Sequence, residues 1–559
     1  MNPPRPRLLP WWIGSGLLWL ALALVYYPVL SAPFVWTDHA EIEQGALVPK
    51  NSEEFWATLL QAKGLAKTTV RTEYINQADG SSLAYHRPVK ALSYGLDHVT
   101  GAGQPWSYHL SNLVFHGLCC MMILLLVRRL WGRQMPGLAE VLALWHALNP
   151  LHTESVAWIS ARSDSLMTLF ILIALALQLA ARRARGWSWP FRILGALCIV
   201  AAIGTKESGM VAVGLAWLVA LCLPRDRPAD RGPLRQFARE AGLPLLAGGL
   251  ALVFRLSVVA DLDMALLLGR SGIGLWTGLD LFGRNLLQSF LPLGTGVADT
   301  IPILTGPSLL GLLGPTAFGL WLLVGWRLRR EAPAIGFAAL AWLAAILPVS
   351  QLITLIHPRG DRYLYLPALF SQGCMVAGLF WSLQRLQTLR LARAGLALLA
   401  IVGLFAAGVI SSIDARIWSD ERHLFGQAAR NEPRCAECWN NLAYAEAQAG
   451  RYAHAASACE QGLRIDRALV HTARDGFSLR FILAKAALLQ GQGLRAAQAL
   501  QEIHIKAGPR AATLRMLSKA YAMRGRVRDA RFLLKLAEGD ADPSDPSADL
   551  AFRCTMDDD

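Results

Sequence analysis

Eleven apolar stretches of roughly the length that crosses a bilayer dictate what this chain can become. They run over residues 11–30, 107–127, 138–159, 164–181, 191–205, 208–223, 240–258, 306–326, 334–356, 363–383 and 392–412. Hydrocarbon offers no water to an open backbone, so segments of about 20 apolar residues span it as helices. The chain has 559 residues, 54% hydrophobic and 17% charged, too much apolar side chain for one water-soluble core. The expected fold class is all-α: a polytopic membrane protein with about eleven transmembrane helices.

Arginines fix the orientation of these spans. Arg5 and Arg7 precede the first; Arg128, Arg129 and Arg133 follow the second; Arg182, Arg183 and Arg185 follow the fourth. Arg225, Arg227, Arg231, Arg235 and Arg239 follow the sixth, and Arg327, Arg329 and Arg330 the eighth. Arg385, Arg390 and Arg393 separate the last two. With alternating spans every cluster falls on one face, which the positive-inside rule makes cytoplasmic. The amino terminus is then cytoplasmic and the carboxyl terminus exterior. A cleaved signal peptide in place of the first span would also leave residue 38 outside. The length of that apolar run and the lack of an Ala-x-Ala site favour an uncleaved anchor. The same clusters account for the formal net charge of +14. No basic-aromatic motif points to nucleic acid.

From residue 414 the sequence turns polar and alanine-rich. Gly450 with Ala455, Gly491 with Ala496 and Gly525 with Ala530 repeat one spacing. Upstream stand Trp439, Leu442 and Ala443, then Leu483 and Ala484, then Leu514 and Leu517. This pattern resembles tetratricopeptide repeats, in which large residues of one helix pack over small residues of its partner. The organisation read from sequence is a membrane domain over 1–413 with a long first exterior loop at 31–106. An exterior repeat domain, an α-solenoid, follows over 414–539, with an insertion near residues 467–476, and then a disordered acidic tail over 540–559. The repeats serve either as a structural cap or to bind a partner. Cys435, Cys438 and Cys459 fall in the exterior domain, where a local disulfide, a link to Cys459 or free thiols are open. Cys435 and Cys438 form a lone CxxC, a weak zinc signal.

Charged and histidine side chains gather in the exterior turns. The first loop opens with Trp36-Thr37-Asp38-His39-Ala40-Glu41, and an ionised carboxylate at Asp38 is suited to take a proton from a hydroxyl. Other turns bring Tyr85-His86-Arg87-Pro88, Asp97-His98, Leu151-His152-Thr153-Glu154, Arg162-Ser163-Asp164, Lys206-Glu207, Arg270 and His357-Pro358-Arg359-Gly360-Asp361-Arg362-Tyr363. Ionisable groups at the edge of a membrane are costly and mark function. Cations among them suit a lipid phosphate, with carboxylates to orient them. A proton or ion pathway is the rival, but it calls for charges at mid-span, where few occur. Residues 259–305, with no clean span, fit an interfacial or re-entrant segment.

These motifs in order, from Phe34 to His39 through Tyr108-His109-Leu110-Ser111-Asn112-Leu113, Leu151 to Ala157 and Asp361-Arg362-Tyr363-Leu364-Tyr365-Leu366-Pro367, resemble the transmembrane and tetratricopeptide repeat-containing (TMTC) family. That family belongs to the GT-C glycosyltransferases and is similar to protein O-mannosyltransferases. The resemblance implies inverting transfer of a sugar from a polyprenyl-phosphate carrier to an acceptor hydroxyl, and the repeats tilt that acceptor towards a protein Ser or Thr. It maps the base onto Asp38. The family commonly has two adjacent acids here, and Thr37 takes the first place, leaving Glu41 as a substitute neighbour. No metal is expected, since a single carrier phosphate needs less neutralisation than a diphosphate, and no other cofactor. For the carrier phosphate the sequence nominates Arg362, Arg87 and Lys206, then Arg359 and Arg270. His39, His152, Glu154 and Asp361 are nominated for the sugar or acceptor pocket, while His109 and His116 fit interhelical hydrogen bonds. Lys206-Glu207 and Asp361-Arg362 read alternatively as local ion contacts. A lipid or polysaccharide acceptor, a transporter and a membrane scaffold are the other functions open. The compact size and few repeats favour a bacterial inner membrane, with active site and repeats in the periplasm.

Overall fold

The computed structural model describes residues 10–43, 69–72, 83–131, 135–184, 188–223, 233–258, 274–291, 303–350, 359–386, 389–465, 477–508 and 510–539. Their contacts divide the chain into two units, with a principal break between Asp420 and Glu421.

Among its described residues the first unit is essentially helical, and Thr69–Thr72 and Leu83–His86 form a short two-stranded pairing. Its helices are α1 (Trp11–Tyr26), α2 (Pro88–Gly101), α3 (Pro105–Trp131), α4 (Leu138–Leu148), α5 (Thr153–Ala157), α6 (Arg162–Arg183), α7 (Trp189–Thr205) and α8 (Val211–Cys222). They continue with α9 (Pro233–Val258), α10 (Leu275–Phe290), α11 (Leu309–Glu331), α12 (Pro333–Ile346), α13 (Tyr365–Arg385) and α14 (Arg390–Ile417). Among the described residues, 7 helical segments are long and apolar enough to cross a membrane. Leu138–Leu148, Trp189–Thr205, Glu207–Cys222 and Pro333–Val349 are shorter apolar helices. Together these eleven segments coincide with the eleven stretches of the sequence, making this an all-α polytopic membrane protein.

One boundary differs from expectation. The stretch 138–159 breaks at Asn149, whose side-chain oxygen accepts from the Leu151 N–H, and Pro150 starts a new short turn. Asn-Pro ends a helix because the ring clashes with helical backbone before it. The chain then crosses the first unit as two tight turns and α5 before α6 begins. That break creates a polar shelf carrying His152, Glu154 and Ser160.

The apolar core is built from α6, α7, α8, α12 and α13, through Ile171, Ile203, Leu215, Trp342 and Phe370. Gly209 lets the turn after α7 close, since a Cβ there would lie 2.4 Å from the Ala202 carbonyl oxygen. A separate small cluster of Phe34, Ile42, Tyr94, Tyr108 and Ile159 fixes the start of the first loop. Fully buried Arg162 braces it, pairing with Asp97 at 2.6 Å and donating to Asn112 Oδ1 and the Tyr108 carbonyl.

Among the described residues of the stretch 259–305, α10 is an amphipathic helix whose buried face carries Thr277, Asp280, Asn285, Gln288 and Ser289. The rest of 259–302, including Arg270, lies outside the described residues.

The second unit stacks α15 (Glu421–Asn431), α16 (Ala436–Gln448), α17 (Tyr452–Leu463), α18 (Phe477–Leu489), α19 (Gly493–Ala507), α20 (Ala511–Met523) and α21 (Val527–Glu538), each packed on the next. Gly450, Gly491 and Gly525 sit at the turns within successive helix pairs with φ of 74°, 77° and 76°. Only glycine adopts that left-handed conformation freely, which explains the repeated spacing. Ala455, Ala496 and Ala530 are buried, as close helix packing requires. Cys435 and Cys438 form a disulfide, and Cys459 is a buried free thiol. The insertion expected near 467–476 and the tail from 540 lie outside the described residues.

Candidate active site

Asp38 is 0% exposed, and its carboxylate is held from two sides. The Val35 N–H donates to Oδ2 at 3.2 Å; the Ser160 N–H and hydroxyl donate to Oδ1 at 2.9 and 2.5 Å. The turn beyond α5 therefore clamps a residue 122 positions earlier. Burial, only partly offset by the Ser160 and Val35 hydrogen bonds and reinforced by Glu41, pushes Asp38 up to about 7. A carboxylate of that basicity is ionised near neutrality yet accepts a proton readily.

The residue preceding this turn is backbone-strained. Trp36 has a φ of 55°, a conformation costly for a bulky side chain, which points to a functional constraint. Its indole stacks on Trp158 at 4.4 Å, and Trp158 stacks on Trp418 at 5.9 Å. His39, half-buried, and Glu41 follow in one wide helical turn. Glu41 pairs with the buried Lys90 at 2.6 Å, and the Tyr94 hydroxyl donates to it at 3.4 Å. Burial pulls Lys90 below the usual lysine range, against the raising effect of Glu41.

The next turns carry the cations Arg362, Lys206 and Arg87, each paired with an acid of its own. Arg362 is 7% exposed, and its backbone N–H donates to Glu154 Oε2 at 2.8 Å while its guanidinium pairs with Glu154 Oε1. That guanidinium lies 5.0 Å from the Trp158 ring and 4.7 Å from Tyr363. Lys206 Nζ lies 5.1 Å from the same Tyr363 ring and bonds Asp164 at 2.5 and 2.7 Å. Burial lowers Lys206, Asp164 raises it, and Arg87 and Arg362 lower it further, so these three cations share one field. Arg87 makes a two-pronged contact with Glu207, at 3.2 and 2.8 Å, and Arg255 joins the same carboxylate. Asp361 and Arg359 meet at Gln288 of α10, which donates to Asp361 at 2.6 Å and accepts from Arg359 at 2.8 Å.

The alternative of local ion contacts is thereby corrected. Lys206 pairs with Asp164 rather than Glu207, and Arg362 with Glu154 rather than Asp361. Adjacent side chains on a tight turn diverge, leaving each to find a partner from another turn. His152 is placed apart from Asp38, 0% exposed in a ring cluster with His116, His146 and Tyr365. Burial holds its imidazole well below the ordinary histidine range, and thus neutral. His116 makes the interhelical bond expected of it, to the Tyr365 hydroxyl at 2.6 Å. Sequence reading passed over Ser160, Lys90, Arg255 and Gln288. Ser160 falls between two recognised motifs and carries no signal of its own; Gln288 belonged to a run of polar residues at helical spacing on α10, a sign that was legible. Among the described residues no group of three or more His, Cys, Asp or Glu side chains is placed to hold a metal ion.

No family model matches the chain. It is similar in sequence to TMTC proteins. It is 30% identical over 208 residues to the human Protein O-mannosyl-transferase TMTC2, covering 35% of this chain and 22% of that protein. The Drosophila melanogaster Protein O-mannosyl-transferase Tmtc1 is 30% identical over 216 residues, 37% of this chain and 23% of that protein. A Caenorhabditis elegans Protein O-mannosyl-transferase, F38B6.6, is 22% identical over 387 residues, 64% and 50%. The match thus spans less than a quarter of the human relative's length. Among solved structures, the Archaeoglobus fulgidus oligosaccharyltransferase aligns over 73% of this chain and 56% of its own, at 14% identity and a TM-score of 0.40. ArnT from Cupriavidus metallidurans bound to undecaprenyl phosphate aligns over 94% and 77%, at 14% identity and a TM-score of 0.38.

Proposed function

We propose that this protein is a membrane-embedded inverting glycosyltransferase that moves a sugar from a polyprenyl-phosphate carrier to a protein Ser or Thr hydroxyl on the exterior face. The observation that carries this reading is a buried, basic carboxylate, Asp38, clamped by Ser160 two residues beyond Trp158, whose ring lies 5.0 Å from the Arg362 guanidinium that shares a field with Lys206 and Arg87. Asp38 takes the hydroxyl proton as the oxygen attacks the anomeric carbon; the carbon–phosphate-oxygen bond breaks, and the leaving phosphate gains charge beside the cations. No metal takes part in this scheme, since guanidinium and ammonium groups supply the positive charge. The repeats of the second unit recruit the acceptor protein, and the names of the relatives favour mannose as the sugar.

Mass spectrometry of exterior proteins from cells with and without this chain tests the reading. Hexose on Ser or Thr that vanishes with the chain supports it; unchanged protein glycosylation alongside altered glycolipid or polysaccharide overturns the acceptor.

Trp36 is assigned to hold the sugar, whose C–H face packs on an aromatic ring beside the base. Trp36→Ala should lower kcat/KM for farnesyl-phosphate mannose by about tenfold, the scale of one lost aromatic contact. Trp36→Gly relieves the strained backbone without restoring the ring, and should be equally poor; recovery in the glycine variant would assign the defect to backbone instead.

A further inference from the structure

A second basic site lies at the far end of the helices that build the first. Helix α6 starts at the carboxylate shelf with Arg162 and ends with Arg182 and Arg183; α3 starts beside it and ends near Arg129 and Trp131. From Arg162 to Arg182 the helix rises about 30 Å at ~1.5 Å per residue, the depth of bilayer hydrocarbon.

There the structure holds a cavity of about 440 Å³, lined by Arg129, Trp131, Arg182, Arg183, Glu331 and the start of α12. Arg129 and Arg183 bring guanidiniums to the same lining as Glu331, while Arg182 is turned to Glu240 and to the Val219 and Leu223 carbonyls. Glu331 already pairs with Arg327 at 3.0 Å, and Arg182 is anchored by Glu240 at 2.6 Å and by the Val219 carbonyl. Pro333 occupies the first turn of α12, followed by Ala334 and Ile335 in the cavity wall. First-turn amides have no carbonyl within their own helix, and the positive end of the helix dipole favours an anion. Leu179 and Leu223 add an apolar wall.

We propose that this cavity binds an anionic phospholipid in the leaflet opposite the active site. Its phosphate meets the arginine forks and the α12 amides, and its acyl chain follows the leucine wall. Phosphate is the shared chemistry of a lipid headgroup and a free anion. The apolar wall and the place at a bilayer edge favour the lipid, as do known preferences of basic pockets between spans. Trp131 fits the same depth, where indoles anchor to headgroups.

The purified full-length protein in detergent micelles provides the test, with phosphatidylglycerol, phosphatidylcholine or inorganic phosphate added. Thermal unfolding and native mass spectrometry are the readouts. Phosphatidylglycerol should raise the midpoint saturably and stay bound, and phosphatidylcholine should do neither. R129Q/R183Q should need at least tenfold more phosphatidylglycerol for half the effect. Ala334→Asp, acceptable to a helix first turn, should place a competing carboxylate in the cavity and abolish retention, with its far-ultraviolet circular dichroism checked against the parent. Parental lipid retention by both variants would overturn the site. Inorganic phosphate protecting as strongly as phosphatidylglycerol, or phosphatidylcholine retained equally, would overturn the assignment to an anionic lipid.

Discussion

Asp38→Asn will remove sugar transfer by about 10²- to 10⁴-fold, the range of general-base catalysis, in a protein that folds as well as its parent. The amide still accepts from Ser160 at its oxygen, so the turn keeps its main clamp. It cannot take a proton. Stability should move the other way from activity. The folded Asp38 sits at about 7, above its ordinary 3.8, so folding takes up a proton between those values and the stability gained is lost as pH rises through about 7. Above that pH the parent carries a buried charge, and a neutral asparagine does not. The thermal midpoint of Asp38→Asn at pH 8 should therefore equal or exceed the parent's. The rate of the parent should fall about tenfold per pH unit below pH 7 as the base protonates. Ser160→Ala separates positioning from chemistry: it removes a hydrogen bond that lowers Asp38, so its profile should shift to higher pH with a smaller loss of rate. A flat pH profile in the parent, or an active Asp38→Asn enzyme, would remove Asp38 from the mechanism.

The membrane fold was legible because a single rule governs it. Each apolar stretch had to be a helix, because hydrocarbon leaves an open backbone no partner. The broken helix at Asn149-Pro150 was harder to see, since the apolar run continues through Leu151 and Val156 and only the Pro signal marks the break. The site was readable as a set of turns but not as a set of pairs. Sequence places Arg362 beside Asp361 and Lys206 beside Glu207; the fold joins Arg362 to Glu154, 208 positions away, and Lys206 to Asp164, 42 away. Pairing of this kind depends on how the turns meet, which no local pattern records. His152 shows the same limit: its neighbour Glu154 faces Arg362, while His152 itself turns into the ring cluster with His146 and Tyr365. In a tight turn successive side chains point to different partners, so proximity along the chain overstates shared function.

Arg362→Gln should inactivate the enzyme and weaken the fold at once, and the two losses can be separated. The Arg362–Glu154 pair is buried, with side-chain exposures of 9% and 4%. Removing one partner leaves an uncompensated charge on Glu154, a loss of about 3–5 kcal/mol in buried pairs. Glu154→Gln strands Arg362 in the same way. In the double variant R362Q/E154Q neither charge remains, and two amides can hydrogen-bond across the gap, so stability should recover most of what each single change loses. Transfer should not recover, because the leaving phosphate still lacks its guanidinium. Arg362→Lys probes the geometry: it keeps the charge but loses the planar fork that reaches both Glu154 and a phosphate, so partial activity with a raised KM for farnesyl-phosphate mannose is expected. Thermal unfolding of the four proteins, set against their kcat/KM, forms the cycle. Recovery of transfer together with stability in R362Q/E154Q would make Arg362 a purely structural partner of Glu154 and leave Lys206 and Arg87 to carry the phosphate.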